Sequence, residues 1–430
     1  MRKILFFILF LFAFLQHNTF TQIILTLDDV IEYALENNLS LRKAEIDLAA
    51  SEYSEKNLWS EIFPSISASA GIGYGGSLFS GMSSGRGGPG YNVGIGINLG
   101  LNAGIPYAVR SIRLAHQGNI LRYEDARNQL SIQVTKRFFA LIAEKNNLLL
   151  LEEILNLTQR QYVRSETLFR NGFTGELSLL QSEMALENAR YDFGIAQINH
   201  NINMSEFLAI IGLPADSDIL LSGEINITRI EADAEELINS YLPSRPDIVS
   251  GQQEIERLAN SQMQTIMQSR APSLSLSFSW SSSSFSPFND SFSANASVSI
   301  PIDSWIPGTS RSQSISRTGD SIEKARLDLQ MTENTAKTQI RSLTATLRNS
   351  WDSIRIARMS YESAMRNYNL TEQAFLNGIV EAFALEEIRN NMASARQRLL
   401  QTELSYFNMI LDLSAALNMD WRLFISTYSI

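Results

Sequence analysis

The chain of 430 residues carries a formal net charge of −10, with acidic and basic residues mixed along its length and no basic patch, which argues against a nucleic-acid partner. It contains no cysteine, so disulfides and a cysteine-linked lipid anchor are excluded, and stability has to come from packing and assembly. A chain of this length rarely folds around one compact core, so we expect an extended or repeated architecture.

The N-terminus has the pattern of a secretory signal peptide. Arg2 and Lys3 precede an apolar run over residues 4–15, and a polar stretch continues to Thr21. The run is shorter than the ~18 residues that a membrane-spanning helix needs. We therefore expect residues 1–21 to be a signal peptide, with an N-terminal anchor helix as the alternative. No later stretch has the length and apolarity of a membrane helix, so any membrane embedding is expected to use β-strands.

Residues 22–213 form the first predicted repeat, which reads helix, strand, loop, strand, long helix, turn, helix. Strands are expected at about residues 64–78 and 91–103, where apolar residues alternate with serine, glycine and asparagine. Period-two alternation places the two sets on opposite faces of a sheet, and the run lengths suit a tilted membrane strand of ~9–11 residues. A long helical hairpin follows, with its tip near residues 171–175.

A linker region is predicted at residues 214–246, and a second repeat follows at residues 247–419. Its strands are expected at about 272–284 and 291–302, and its hairpin tip near 377–381. The duplication is indicated by FPSISASAG, which recurs as APSLSLSFS, and by RNG, which recurs as LNG before the second tip. The final residues, 420–430, form a tail.

The predicted strands favour a pore-forming barrel over a soluble sheet. Their polar face is almost purely serine, asparagine and glycine, which suits a water-filled lumen, although a soluble sheet with one wet face alternates in the same way. Four strands cannot close a barrel, and open edges in hydrocarbon are costly. Two copies would give eight strands and a filled barrel, whereas three would give twelve strands and a lumen.

The helical regions are predicted to pack as coiled coils. Apolar and small residues recur at steps of three and four in two seams, which include Gln339, Leu343, Thr346, Leu385 and Ile388. The helix over residues 310–375 would be ~100 Å long at 1.5 Å per residue.

Several sequence features together resemble the TolC-like family of outer-membrane efflux proteins. They are the opening LTLDDVIEYALENNLSLRKAEIDLAASE at 25–52, the SRPDI at 244–248, the strand-opening Pro64 and Pro272, and the IGL at 211–213. The resemblance covers nearly the whole mature chain. It implies an α+β membrane protein, a homotrimer whose twelve-stranded barrel, four strands per chain, is continued by a long α-helical coiled-coil tunnel in the periplasm. It also implies that the linker at residues 214–246 is an equatorial region of this tunnel.

The resemblance also implies a function and its partners. The protein would be the passive outer-membrane exit duct of a tripartite efflux or type I secretion system, held in outer-membrane lipid, with a periplasmic adaptor and an inner-membrane pump as partners. It would be no enzyme, with no cofactor, metal or catalytic residue. The alternative is a periplasmic or surface coiled-coil interaction protein with no channel.

The hairpin tips are the candidate gate and adaptor-contact site. The residues singled out there are Asn171, Gly172, Asn377, Gly378, Glu381 and Glu387. Glu387 falls where family members commonly carry an acidic residue that constricts the pore. Ala384 and Val380 stand where other members can carry charged gate residues, so the gate chemistry departs from the family pattern. The alternative for Glu387 is a solvated helix residue.

Three motifs that could indicate chemistry lack the structural context they need. The GxGxxG at 71–76 lies inside an alternating strand, and the GMSSG at 81–85 lies in a Gly/Ser loop, so neither fits a dinucleotide site or a nucleophile elbow. The histidines are His17, His116 and His200, which have no metal-binding spacing and are interpreted as ordinary helix-surface residues.

Overall fold

A computed structural model of the chain describes residues 23–75, 88–215, 217, 219–225, 227–285, 288–377 and 379–430. The predicted signal peptide, the GMSSG motif at 81–85 and Gly378 lie outside the described residues. Within the described part, no helix combines the length and the apolar character that crossing a membrane requires.

Long helices dominate the described chain. The helices are α1 (Leu27–Asn37), α2 (Leu39–Lys56), α3 (Ile105–Arg170), α4 (Glu176–Ile211), α5 (Ala234–Tyr241), α6 (Pro246–Arg270), α7 (Ser310–Leu376), α8 (Ala382–Ala416) and α9 (Trp421–Tyr428). The strands are β1 (Ile23–Leu25), β2 (Ser65–Gly75), β3 (Gly88–Asn102), β4 (Ile219–Leu221), β5 (Ser273–Phe285) and β6 (Phe288–Ser299). Short 3₁₀ turns occupy Leu58–Glu61, Leu242–Ser244 and Asp303–Trp305.

The larger sheet has four strands in the order β2-β3-β5-β6, and every neighbouring pair is antiparallel. In its register, apolar residues pair with apolar residues across the strands, and small polar residues or glycines pair with one another. One row across the sheet runs Ile66, Ile97, Phe278, Ala294, and the adjacent row runs Ser67, Gly96, Ser279, Ser293. Since successive residues of a strand point to opposite faces, one face is apolar as far as the pair Trp280–Phe292 and the other is uncharged and polar. The predicted alternation therefore continues across all four strands.

Some element boundaries differ from the prediction. β3 begins at Gly88 instead of near 91, and β6 ends at Ser299 instead of near 302. Pro301 has no N–H to donate to a ladder, and the chain then turns through Asp303–Trp305, so the alternation that continues through Ile302 outlasts the strand. β2 is described to Gly75, and the rest of its predicted range lies outside the described residues.

The second half of the chain repeats the backbone of the first with a constant shift of 206 residues along the hairpins. At the tips, the Phe173 amide donates to the Leu168 carbonyl at 2.8 Å, and the Ile379 amide donates to the Ala374 carbonyl at 2.9 Å. At the far ends of α4 and α8, Gly212 and Asn418 both have positive φ, 81° and 53°. Because these caps correspond residue for residue, they support the internal duplication.

One compact unit comprises the described residues up to Arg42, together with those of Ala126–Ser240 and Gln339–Ile430. Its core is apolar, with Phe138, Phe207 and Tyr406 fully buried. The Tyr406 hydroxyl accepts from the Ile230 amide and donates to the Thr228 carbonyl, both at 3.0 Å, so the buried phenol fixes part of the linker region. The parallel β1–β4 pair belongs to this unit and was not predicted.

The other compact unit comprises Lys43–Asp125 and Tyr241–Thr338 and contains the four-stranded sheet. Its helices are joined by polar contacts as well as apolar ones. The buried Asn260 amide of α6 donates to the Tyr107 carbonyl and the Ser111 hydroxyl of α3, both at 2.8 Å. Most side chains of the sheet are exposed in a single chain, so the sheet has no core of its own within one copy.

The predicted seams are partly shifted in register. Ile322, Ala336, Ile354, Ala357 and Tyr368 are buried on α7 as expected. Between them the buried residues are Ile340 and Leu347, whereas Gln339 and Thr346 are exposed. A helix of 3.6 residues per turn drifts from a strict heptad, so the larger apolar side chains one position along turn inward.

Candidate gate and duct wall

The first hairpin tip is a tight, exposed turn. α3 ends at Arg170, and Gly172 follows with a φ of 76°, a left-handed conformation that glycine adopts without the steric cost of a Cβ. Asn171 and Gly172 are both exposed. The chain then enters α4 through Gly175, which is the N-cap residue with extended backbone.

The described residues of the second tip form matching backbone hydrogen bonds. The Asn377 amide donates to the Gln373 carbonyl at 3.1 Å, and the equivalent Asn171 amide donates to the Thr167 carbonyl at 3.2 Å. Glu381 is the N-cap of α8, where Gly175 stands in the first tip, and its side chain makes no capping hydrogen bond. Its exposed carboxylate lies at a helix N-terminus, where negative charge is favourable.

Glu387 lies in the second turn of α8 and is exposed. It forms no hydrogen bond or ion pair with any residue that the structure describes. This position is compatible with the predicted gate role and with a solvated helix residue, and the role stays a prediction.

Each tip exposes large apolar side chains. Phe173 is 81% exposed and Ile379 is 76% exposed, and these two residues occupy equivalent positions in the two halves. Leu177 and Phe383 are also exposed just inside the following helices. Exposed apolar groups grouped at a loop tip mark a surface that another molecule can cover.

A buried arginine lies near the second tip and was missed by the sequence analysis. Arg389 of α8 is 2% exposed, and its Nη1 donates to Thr158 Oγ1 at 2.7 Å and to Gln161 Oε1 at 3.2 Å, both on α3. Its Nη2 lies 3.9 Å from Glu386 Oε1, and its Nε is buried without a hydrogen-bond partner. The guanidinium therefore links α8 to α3 by hydrogen bonds. Its positive charge is only partly balanced, because the nearest carboxylate is 3.9 Å away.

An apolar cluster surrounds this arginine. Tyr368, Leu385 and Met392 are buried and form its centre, and Leu157, Tyr361, Ala364, Met365, Phe375 and Ile388 pack against them. The Arg164 guanidinium of α3 lies over the Phe375 ring of α7 at 5.2 Å. Residues of α3, α7 and α8 therefore meet in one buried region next to the second tip.

Burial shifts the protonation equilibria of this cluster. It raises the pKa of the Glu386 carboxyl, although Arg389 opposes the shift, and it lowers the pKa of the Arg389 guanidinium. Burial and the neighbouring Glu372 raise the pKa of Tyr368 to about 12, and the Tyr368 hydroxyl donates to Glu372 Oε1 at 3.1 Å. Burying the charged forms of Glu386 and Arg389 costs free energy, so small changes of packing should change the stability of this cluster strongly.

The four-stranded sheet supplies the second candidate element, a duct wall. Its polar face carries serine hydroxyls that pair across strands, with Ser279 to Ser293 and Ser281 to Ser291 both at 2.8 Å. Its apolar face exposes Ile66, Ile72, Phe278, Phe292 and Val298. Within the described chain, β2 pairs only with β3 and β6 pairs only with β5, so each of these edge strands has one open edge. Because all pairs are antiparallel, β2 and β6 run in opposite directions.

A serine, a histidine and a glutamate meet where α2 packs on α3, without the hydrogen-bond directions of a catalytic triad. Ser51, His116 and Glu55 lie together, with Ser51 Oγ 3.0 Å from His116 Nδ1 and His116 Nε2 3.4 Å from Glu55. The Ser51 hydroxyl donates to the Leu48 carbonyl at 2.7 Å, so its proton is not directed at the imidazole. His116 packs largely buried between α2 and α3, and His200 is largely buried beside Glu144, so neither is the surface residue expected.

A cavity of about 1010 Å³ lies between the linker region and α7. Its charged lining residues are Arg229, Arg341, Arg348, Arg355, Glu231, Asp233 and Asp352. The two signs nearly balance, and Arg341 is already paired with Glu235 at 2.7 Å. No group of three or more acidic, histidine or cysteine side chains suited to a metal ion occurs in the described part of the chain.

Comparison with known proteins adds independent findings. Residues 30–199 and 237–419 match the model of a family described as outer membrane efflux protein. The chain is 25% identical over 414 residues to the probable efflux pump outer membrane protein TtgC of Pseudomonas putida, and the match covers 92% of this chain and 83% of that protein. The antibiotic efflux pump outer membrane protein ArpC of Pseudomonas putida matches with the same identity and coverage.

Solved structures share the fold. The Campylobacter jejuni CmeC outer membrane channel superposes with a TM-score of 0.75 at 19% identity, over 93% of this chain and 88% of that chain. The Neisseria gonorrhoeae MtrE outer membrane channel in its open state gives a TM-score of 0.72 at 18% identity, over 91% of this chain and 89% of that chain.

Proposed function

Because this chain belongs to the outer membrane efflux protein family, we propose that three copies close one barrel and form the outer-membrane exit duct of an efflux system. Family membership places the chain in the outer membrane with its helices in the periplasm, makes it a transport protein and not an enzyme, and decides against an interaction protein without a channel. The stoichiometry, the gate and the adaptor contact are the further steps of the proposal.

The observation that carries the proposal is the four-stranded sheet with two open edges. β6 of one copy runs antiparallel to β2 of the next, so copies can be added without breaking the antiparallel order. Three copies give twelve strands, enough to leave a lumen, whereas two would give a barrel filled by its own side chains. The apolar face then meets lipid, and the serine-rich face lines the water-filled path.

A second feature supports assembly from several copies. α4 carries an apolar stripe at steps of three, four and seven that stays exposed in one chain: Leu177, Leu180, Met184, Tyr191, Ile195, Ile198 and Ile202. A sustained stripe of this kind is the packing surface of a coiled coil. The neighbouring copy is the partner that would cover it.

The conduction step is tested in planar lipid bilayers. Purified full-length protein should produce discrete conductance steps, because the polar face of the closed barrel holds water. Protein that is assembled and inserted, yet never conducts in the presence or absence of an applied voltage, would contradict the duct.

The exposed tips are the proposed adaptor-contact surface, since relatives are named as outer membrane components of efflux pumps. Phe173→Ser and Ile379→Ser together should abolish dye efflux by cells while leaving bilayer conductance unchanged, because both residues are exposed and support no core. Val163→Ser, which is exposed on α3 away from the tip, is the matched control and should retain efflux. Normal efflux by the double variant would remove the tips from the interface.

A further inference from the structure

An arginine without an ion pair to any described residue lies at the helical end of the sheet. Arg270 is the last residue of α6, three positions before β5 begins at Ser273. Ser273 pairs with Ser299, the last residue of β6, so the segments that precede β5 and follow β6 lie at the same end of the sheet. Trp305 belongs to the 3₁₀ turn that follows β6.

Arg270 is stacked on Trp305 and has no polar partner in the described part of the chain. Its guanidinium carbon lies 4.8 Å from the centre of the Trp305 ring, and its Nε is buried without a hydrogen bond. None of its nitrogens donates to any residue within the described ranges. Asp303, a carboxylate in the same turn, is paired with Arg311 at 2.7 Å and is therefore already engaged.

The end of the sheet that carries this arginine exposes large apolar side chains. Trp305 is 61% exposed, although indole rings are usually covered in a soluble protein. Exposed apolar residues flank both edge strands at this end of the sheet: Trp59, Ile62, Phe63, Ile300, Ile302 and Ile306. Trp59 and Phe63 pack edge to face at 5.1 Å between ring centres. Aromatic collars of this kind lie at the boundary between lipid and water in membrane barrels.

We infer that Arg270 and Trp305 bind the phosphate group of a phospholipid in the leaflet on the periplasmic side. The inference rests on the outer-membrane position of the chain and adds a lipid site to it. The Trp305 ring covers one side of the guanidinium, and its Nε is buried. The two Nη groups donate to no residue within the described ranges, so they are the donors for the paired hydrogen bonds that a phosphodiester accepts. The apolar collar covers the adjoining acyl chains, which free phosphate lacks.

The internal duplication supplies a comparison within the chain. The repeated motif places Ile62 of the first half at the position of Arg270 in the second. An isoleucine there contributes to the apolar collar and binds no phosphate. Each chain therefore carries one such site, in its second half, and we expect one tightly retained phospholipid per chain.

The experiment measures lipid retained by the full chain in a mild non-ionic detergent, using native mass spectrometry with phosphatidylglycerol and phosphatidylethanolamine as titrants. Both lipids should bind, because the phosphate is common to them. Arg270→Gln should weaken binding of both by on the order of ten-fold or more, since it removes charge-assisted hydrogen bonds. Trp305→Leu should weaken it less, and Arg270→Lys should retain part of it.

Arg311→Gln is the matched control, because Arg311 lies in the same region but is paired with Asp303. It should bind both lipids as the unaltered chain does. Equal loss in Arg270→Gln and Arg311→Gln, or equal retention in both, would overturn the site. Displacement of the lipid by millimolar inorganic phosphate would also overturn it, because the collar would then contribute nothing.

The mass of the particle separates this inference from the duct itself. Arg270→Gln could release subunits from the particle while each chain binds as much lipid as before. In that case Arg270 belongs to a contact between copies, and the lipid site is wrong. Lipid loss from a particle of unchanged mass supports the site. A particle of the wrong mass before any substitution contradicts the proposed assembly and leaves the per-chain lipid measurement valid.

Discussion

The two hairpins have matching backbones but bury different side chains. Their tips, N-caps and far caps correspond at a shift of 206 residues, down to the hydrogen bonds of Phe173 and Ile379. Yet the buried Arg389 of α8 corresponds to Glu183 of α4, which is exposed. Duplication has thus conserved the turn while the packing behind it diverged. The second hairpin is held by the buried hydrogen bonds of Arg389, whose surroundings include the titratable Glu386. We therefore expect the position of this hairpin, and not that of the first, to respond to changes of charge.

The largest expected effect comes from removing Arg389. Arg389→Ala removes the buried donor that Thr158 and Gln161 accept from, and it leaves a cavity. The free energy of unfolding should therefore fall by about 3 kcal/mol. Arg389→Met keeps most of the volume without the charge and should cost less. Amide hydrogen exchange along α8 and α3, together with thermal unfolding, would measure both. Glu183→Ala is the control at the equivalent position, and a loss as large as that of Arg389→Ala would erase the contrast between the hairpins.

Two glycines with positive φ, one at each end of α4, offer a second comparison. Gly212 has a φ of 81°, and a Cβ there would lie 2.7 Å from the Asn37 carbonyl oxygen, so Gly212→Ala should cost about 2 kcal/mol or more. Gly172 has a similar φ of 76° with open space around it, so Gly172→Ala should cost about 1 kcal/mol, from backbone strain alone. Equal losses in thermal unfolding would show that the contact with Asn37 is absent in solution.

Acidity should affect the second hairpin through Glu386. Burial raises the pKa of this carboxyl in the folded chain, so the protonated form is favoured by folding. Its stabilising contribution is fully present below the ordinary carboxyl pKa and is lost as the pH rises through the raised folded value. Relative to Glu386→Gln, the unaltered chain should therefore gain protection of α8 against hydrogen exchange between pH 7 and pH 4. A difference that stays constant with pH would mean that Glu386 is solvated.

The smallest structural effect is expected at Glu387, which is exposed and unpaired within the described chain. Three copies of its carboxylate near a common axis would attract cations, so Glu387→Gln should reduce cation preference in planar bilayers without changing stability. Glu183→Gln, also exposed, is the control on the other hairpin. An unchanged reversal potential for Glu387→Gln would leave the duct intact and take Glu387 out of its gate.

Periodic elements could be predicted from sequence because each carries its own signal. The long helix predicted over 310–375 is observed as Ser310–Leu376, and the strand alternation fixes both faces of the sheet. β1 and β4 escaped prediction because strands of three residues show no period, and their partners are far apart in the chain. Arg389 escaped for a related reason. Its acceptors belong to α3, and the adjacent Ile388 fitted the apolar seam better than a charged residue did.

The assembly is tested most directly by the mass of the detergent-extracted particle. Protein extracted from the outer membrane in mild detergent and weighed by native mass spectrometry should contain three chains, which provide twelve strands and no open edge. A stable, membrane-derived monomer would contradict the account, because β2 and β6 of a single four-stranded sheet would then face lipid without partners.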